Sequence, residues 1–290
     1  MASLVNNGQS AKSVRNLTQM YSDAKRIFLE IEQGVGSERA LECAHMFEEC
    51  VQRIRHDSIF SNNEEMHDIK TGDLQYLLAH AYLGKLYGEK VRLDIIVEGP
   101  AGRYKQIQRS VLHYTTFLNQ LLDYNMLEKN DKKFFIEYEA DSRKESLEAK
   151  RARKIGAYEA KKALGAKMAE YVKKESESLQ KVSKTNTALQ EDKPTLLDED
   201  DEREKFLTMI QLYVQEALNG IDISKREVDM LEQMRANMGD SFYGTKRTKE
   251  DPRIAKLKKE QEDKLRERRK LQEYKNRPGK SLLVPPRLIP

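Results

Sequence analysis

From Leu17 to Leu231, apolar side chains return every three or four positions. That spacing marks amphipathic helices, and 14 glycines and seven prolines in 290 residues are too thinly spread to break them often. The chain is therefore read as all-α. The clearest run is Phe206, Leu207, Ile210, Tyr213, Val214, Ala217, Leu218 and Ile221. A first helix is expected from about Ser13 to Glu32, with Leu17, Met20, Tyr21, Ala24, Ile27, Phe28 and Ile31 on one stripe. Gly34 and Gly36 end it, as residues tolerant of positive φ do, and a second helix follows from about Glu38 to Ile54.

Asp73 reads as the cap of a third helix, whose sequence LQYLLAHAYLGKLYGEK is apolar nearly all round and so central. After a loop at VEGPAGR, a long helix reaches Tyr124, and its partner starts near Lys132 and runs past Leu164 towards Lys181. Gly220 is expected to stop the Phe206 helix, with Ser224 and Glu227 at capping-box spacing for the next. Antiparallel helix pairs with short turns predict a tetratricopeptide-like helical domain, although the repeat's fixed-period Trp, Leu-Gly and Tyr pattern is absent.

Apolar periodicity fades after Met238. Residues 1–238 are expected to form the helical domain, with a flexible acidic insert at about 184–200, and residues 239–290 a charged tail. In the tail, Asp251 caps and Pro252 opens a solvated helix with very few apolar residues. A charged fraction of 34%, no Trp and a mean hydropathy of −0.79 agree with a core plus a solvated part.

Several classes of function fit poorly. The 52 basic and 48 acidic side chains give a mixed surface with net charge +4, unlike the one-signed field of a dedicated nucleic-acid binder. Glu and Asp interleaved through KLKKEQEDKLRERRK weaken phosphate neutralisation by the tail. The five histidines are scattered singly, without metal-ligand spacing, and no nucleophile elbow or phosphate loop is visible. No enzyme, metal or cofactor is expected. Cys43 and Cys50 lie on the order of 10 Å apart along one helix, too far for a disulfide, and read as reduced core residues. No secretory signal or membrane span is visible, so a cytoplasmic or nuclear monomer is expected.

The stretch RARKIGAYEAKKAL, Arg151 to Leu164, stands out. If Leu147, Ile155 and Tyr158 mark an inward stripe, helical steps from them land on Arg151, Lys154 and Lys162. Either the long stems snorkel along a partly covered face, or the face is kept charged to meet an acidic partner.

Taken with LQYLLAHAYLGKLYGEK, HYTTFLNQLLDYNML and IQLYVQEALNGIDISKREVDML, this string resembles the alpha-4 family of type 2A phosphatase-associated proteins, in the family's order from about Leu74 to Gln233. The resemblance implies a helical, tetratricopeptide-like, non-catalytic regulator of the catalytic subunits of type 2A, type 4 and type 6 phosphatases, controlling their activity and stability and linked to target-of-rapamycin signalling. It also implies that Arg151 and Lys154 bind the phosphatase, with Tyr158 and Lys162 of the same string completing the candidate set. Glu159, where a basic residue commonly follows the Tyr, departs from the pattern. Two other readings are a co-chaperone-like scaffold that binds acidic peptide termini in a basic groove, and a nucleic-acid-associated protein acting through Arg253 to Lys280.

Overall fold

The computed structural model describes residues 16–61, 65–91, 95–140, 145–184, 197–239, 242 and 252–275, and among these all regular structure is helical. The helices are α1 (Leu17–Glu32), α2 (Ala40–His56), α3 (Ala79–Lys85), α4 (Ile95–Asp123), α5 (Lys129–Glu139), α6 (Leu147–Lys184), α7 (Glu199–Met238) and α8 (Pro252–Lys275). The core of the expected acidic insert, residues 185–196, lies outside the described residues, as do Asp251 and everything after residue 275.

Asn16 caps α1 by accepting a hydrogen bond from the Thr18 N–H. Gly34 (φ 84°) and Gly36 (φ 67°) then reverse the chain, so that α1 and α2 pack side by side. All seven residues of the expected α1 stripe are buried. Aromatic rings join the layers: Phe28 lies 4.5 Å from Tyr82, Phe47 5.2 Å from Tyr82, and Tyr82 5.0 Å from Tyr213. Edge and tilted contacts at these distances add to the burial of each ring. Cys43 and Cys50 are buried and free, as expected, and burial pushes both thiols up to about 12.

The third segment is one helical run with three windings: a 3-10 turn over Thr71–Leu78, α3, and a π turn over Leu86–Lys90. It is buried nearly all round, as its composition demands. Its cap position is Lys70, and Asp73 sits inside the first turn rather than capping it. At VEGPAGR the expected loop is a kink within α4. Gly99 breaks the winding (φ 59°, ψ −173°) and Pro100 opens the long arm, where its missing N–H has no partner to lose. The expected partner helix from Lys132 is two helices, α5 and α6.

The largest correction concerns Gly220. It stops nothing: α7 runs unbroken for 40 residues, and Ser224 is buried in mid-helix rather than capping a new one. The reason lies on α4. A Cβ on Gly220 would stand 2.5 Å from the Tyr114 ring, and so would one on Gly84 of α3, on the ring's other side. Tyr114 is wedged between two backbones that only glycine lets approach. An exposed Gly→Ala in a helix should gain about 1 kcal/mol, but overpacking a core costs about 1–3 kcal/mol. Gly220→Ala should therefore lower the thermal midpoint, and a raised midpoint would contradict the wedge.

His80 and His113, 33 residues apart in sequence, meet in the core with their Nδ1 atoms 3.0 Å apart. Tyr87 stacks on His113 (5.9 Å, 9°) and donates to buried Glu48 at 2.7 Å. Burial pushes His80 down to about 3 and His113 well below its usual value, so both are neutral near pH 7, one Nδ1–H donating to the other. Since folding lowers their proton affinity, their stabilisation is full above ~6.5, the ordinary histidine value. It is lost as pH falls from there towards about 3. His80 alone should remove about 1.4 kcal/mol per pH unit in that window. Thermal melts between pH 6 and pH 4 should therefore fall less steeply in His80→Gln than in the parent protein, and equal slopes would contradict a neutral buried pair.

Candidate partner-binding face

Arg151, Lys154, Tyr158 and Lys162 follow one another along α6 at steps of three and four residues, which a helix stacks in a line. All four are exposed. So are the apolar residues of this stripe: Leu147 is 87% exposed, Tyr158 69% and Ile155 49%. The charges do not interrupt a core seam, because the whole stripe faces outward. Leu147, Lys150, Arg151, Lys154, Ile155 and Tyr158 line one shallow depression. Among the described residues, no ion pair or hydrogen bond engages Arg151, Lys154, Tyr158 or Lys162.

The other face of α6 turns inward with half-buried Ala157, Ala160, Leu164 and Met168 and buried Tyr171, and ion pairs flank it. Arg153 stacks 4.4 Å from the Phe134 ring and pairs with Glu145 at 3.1 Å and buried Asp222 at 3.6 Å. Further along, Lys161 meets Glu216 at 2.5 Å, Lys167 meets Glu204 at 2.5 Å, Lys174 meets Asp201 at 2.8 Å, and Glu175 pairs with Lys205. Tyr171 alone is fully buried among the side chains described in α6. Glu216 also reaches Lys85 at 3.5 Å, and Lys85 pairs with Glu32 at 2.5 Å, so a line of charges crosses from α6 through α7 and α3 to α1. Burial alone would raise Glu216, but Lys161 and Lys85 outweigh it and hold the carboxyl below the usual range.

Between α5 and α6 lies a crevice of about 730 Å³, lined by Asp131, Phe134, Arg153, Tyr158, Lys161 and Gln215 among others. Tyr158 borders both this crevice and the outer depression. Together they present cations and apolar patches that nothing in the described fold covers, a surface suited to an acidic, partly apolar protein face. Glu148 and Glu159 on the same helix soften the positive charge. The only histidines brought together are the core pair, and among the described residues no cluster of three His, Cys, Asp or Glu could hold a metal ion.

Sequence reasoning missed the anchors Arg153, Lys161, Lys167 and Lys174. Their signal was present across two helices: basic residues six to eight apart in α6 face the acids Asp201, Glu204, Glu216 and Asp222 of α7. It is hidden because α6 also carries large apolar residues on its outer face.

A helical layer with an open, mixed basic and apolar helix face is the architecture of a protein that works by binding another. The chain belongs to the TAP42-like family, which it matches over residues 17–287. It is 26% identical over 268 residues to Uncharacterized protein C63.05 of Schizosaccharomyces pombe, covering 91% of this chain and 71% of that one. To PP2A regulatory subunit TAP46 of Arabidopsis thaliana it is 27% identical over 248 residues, covering 83% of this chain but only 58% of the relative. In fold it is similar to a solved structure described as the Tap42 Alpha4 subunit, with a TM-score of 0.55 and 17% identity, covering 76% of this chain and 99% of that one. The Arabidopsis relative is named as a PP2A regulatory subunit.

Proposed function

We propose that this chain is a phosphatase-associated regulator that binds the catalytic subunits of type 2A protein phosphatases, and of the related types 4 and 6, through the outer face of α6. In this reading Arg151 and Lys154 meet acidic groups of the phosphatase, Tyr158 and Ile155 supply the apolar contact, and Lys162 extends the basic line. The observation that carries it is the stripe itself: cations and large apolar side chains share one exposed face and have no partner within the described fold. Its support from outside the structure is the Arabidopsis relative, a PP2A regulatory subunit.

A binding partner of this kind controls the phosphatase by occupancy: it covers part of the catalytic subunit and, by binding only the folded form, stabilises it. We place this activity in the cytoplasm, acting as a monomer within target-of-rapamycin signalling. The test is capture of purified type 2A, 4 and 6 catalytic subunits by the intact chain. Retention of at least one is the expected result. Failure to retain any of them, or retention of acidic C-terminal peptides or RNA in their place, would overturn the reading.

A further inference from the structure

The tail helix α8 departs from a solvated arm. Ile254 and Leu257 are buried against Leu112 of α4. Further along, Gln261 donates to the Leu112 carbonyl at 3.0 Å and accepts from Thr115 at 2.8 Å. Lys264 then pairs with Asp123 at 2.6 Å, and Arg268 with Glu139, at the end of α5, at 2.7 Å. Contact positions 254, 257, 261, 264 and 268 step by three and four, the spacing of a helix seam. Only its first turn is apolar.

The charges across this seam are complementary. Three acids of the groove, Glu48, Asp123 and Glu139, face three bases of α8, Arg253, Lys264 and Arg268. One pair is reversed: Arg55 of α2 grips Glu260 with two hydrogen bonds, at 2.9 and 3.2 Å. A single reversed pair disfavours a shifted or inverted helix, because either would set like charges together. Yet the hold is shallow. The Arg55–Glu260 and Lys264–Asp123 pairs are each more than 40% exposed, where water and salt weaken ion pairs. Beneath α8 the groove is incompletely filled, leaving a cavity of about 520 Å³ lined by Val51, Tyr76, His80, Thr116, Gln120 and Leu257 among others.

We propose that the groove formed by α2, α4 and the end of α5 is a docking site for a basic amphipathic helix, and that α8 is its releasable resident. The face is separate from the outer stripe of α6, so the two can be tested apart. The site recognises an apolar pair in the first turn, a glutamine one turn on and cations at seam positions beyond it, and the free protein fills it with its own tail.

The test uses the full chain and a fluorescent peptide of residues 252–275. Arg268→Glu sets a carboxylate against Glu139 and Asp123 and should free α8, so that its amides exchange at least tenfold faster while those of α4 and α7 are unchanged. The freed groove should then bind the peptide at least tenfold more tightly than the parent protein does. Adding Glu139→Arg restores the pair in reverse and should restore protection of α8. Peptide binding equal in parent and Arg268→Glu, or absent from both, would overturn the proposal. So would loss of protection in α8, α4 and α7 together, since α8 would then be part of the cooperative core.

Discussion

Ile210→Asp should unfold the protein. Ile210 is completely buried in the first half of α7, packed in the same cluster as Phe206, Val214 and Ala217, and a carboxylate there would have neither water nor a cation to offset its desolvation. Losses of about 4 kcal/mol or more follow from burying an unpaired charge, a large share of the about 5–15 kcal/mol that holds a domain of ordinary stability. Circular dichroism should show loss of most helical signal at 37 °C, or a much lowered midpoint if folding survives. An unchanged melting curve would mean that α7 is not the central packing element.

The stretch of α7 from Phe206 to Ile221 was the most legible part of the fold. Its apolar residues recur at three and four because one face is buried there, and the same holds for α1, whose stripe matches residue by residue. Where the reading failed, a distant group had overridden a local signal. Gly220 looks like a helix stop until the Tyr114 ring, more than a hundred residues away in sequence, is seen to need the space. Ser224 and Glu227 have the spacing of a cap, but α7 already continues through them.

The candidate site poses a different problem. Its residues share one helix face, but the sequence alone leaves open whether Leu147, Ile155 and Tyr158 mark a partly covered inner stripe or a surface that meets a partner. In α6 the inward face is a thin apolar line, Ala157, Ala160, Leu164, Met168 and Tyr171, flanked by Arg153, Lys161, Lys167 and Lys174 on acids of α7, while the large side chains of Leu147, Ile155 and Tyr158 are left outside. Where two apolar lines compete on one helix, periodicity alone does not choose the inner one, and the flanking ion pairs show it only when both helices are read together. The tail helix repeats the lesson. Ile254 and Leu257 begin a seam that continues through Gln261, Lys264 and Arg268, so its apolar stripe ends after the first turns.

Arg151→Glu combined with Lys154→Asp tests the central claim most directly. Both positions are exposed and have no partner within the described fold, so the four-unit change of charge should move stability by no more than about 0.5 kcal/mol. At an interface with an acidic partner, like charges brought together cost several kcal/mol; at about 1.4 kcal/mol per tenfold, affinity should fall by roughly a hundredfold or more. The intact chain and the double variant should be compared for helical spectrum, melting temperature and capture of the type 2A phosphatase catalytic subunit. We predict that the spectrum and melting temperature match while capture is lost. A double variant that is folded and holds the phosphatase as tightly as the parent protein would contradict the assignment of the outer face of α6 as the binding surface.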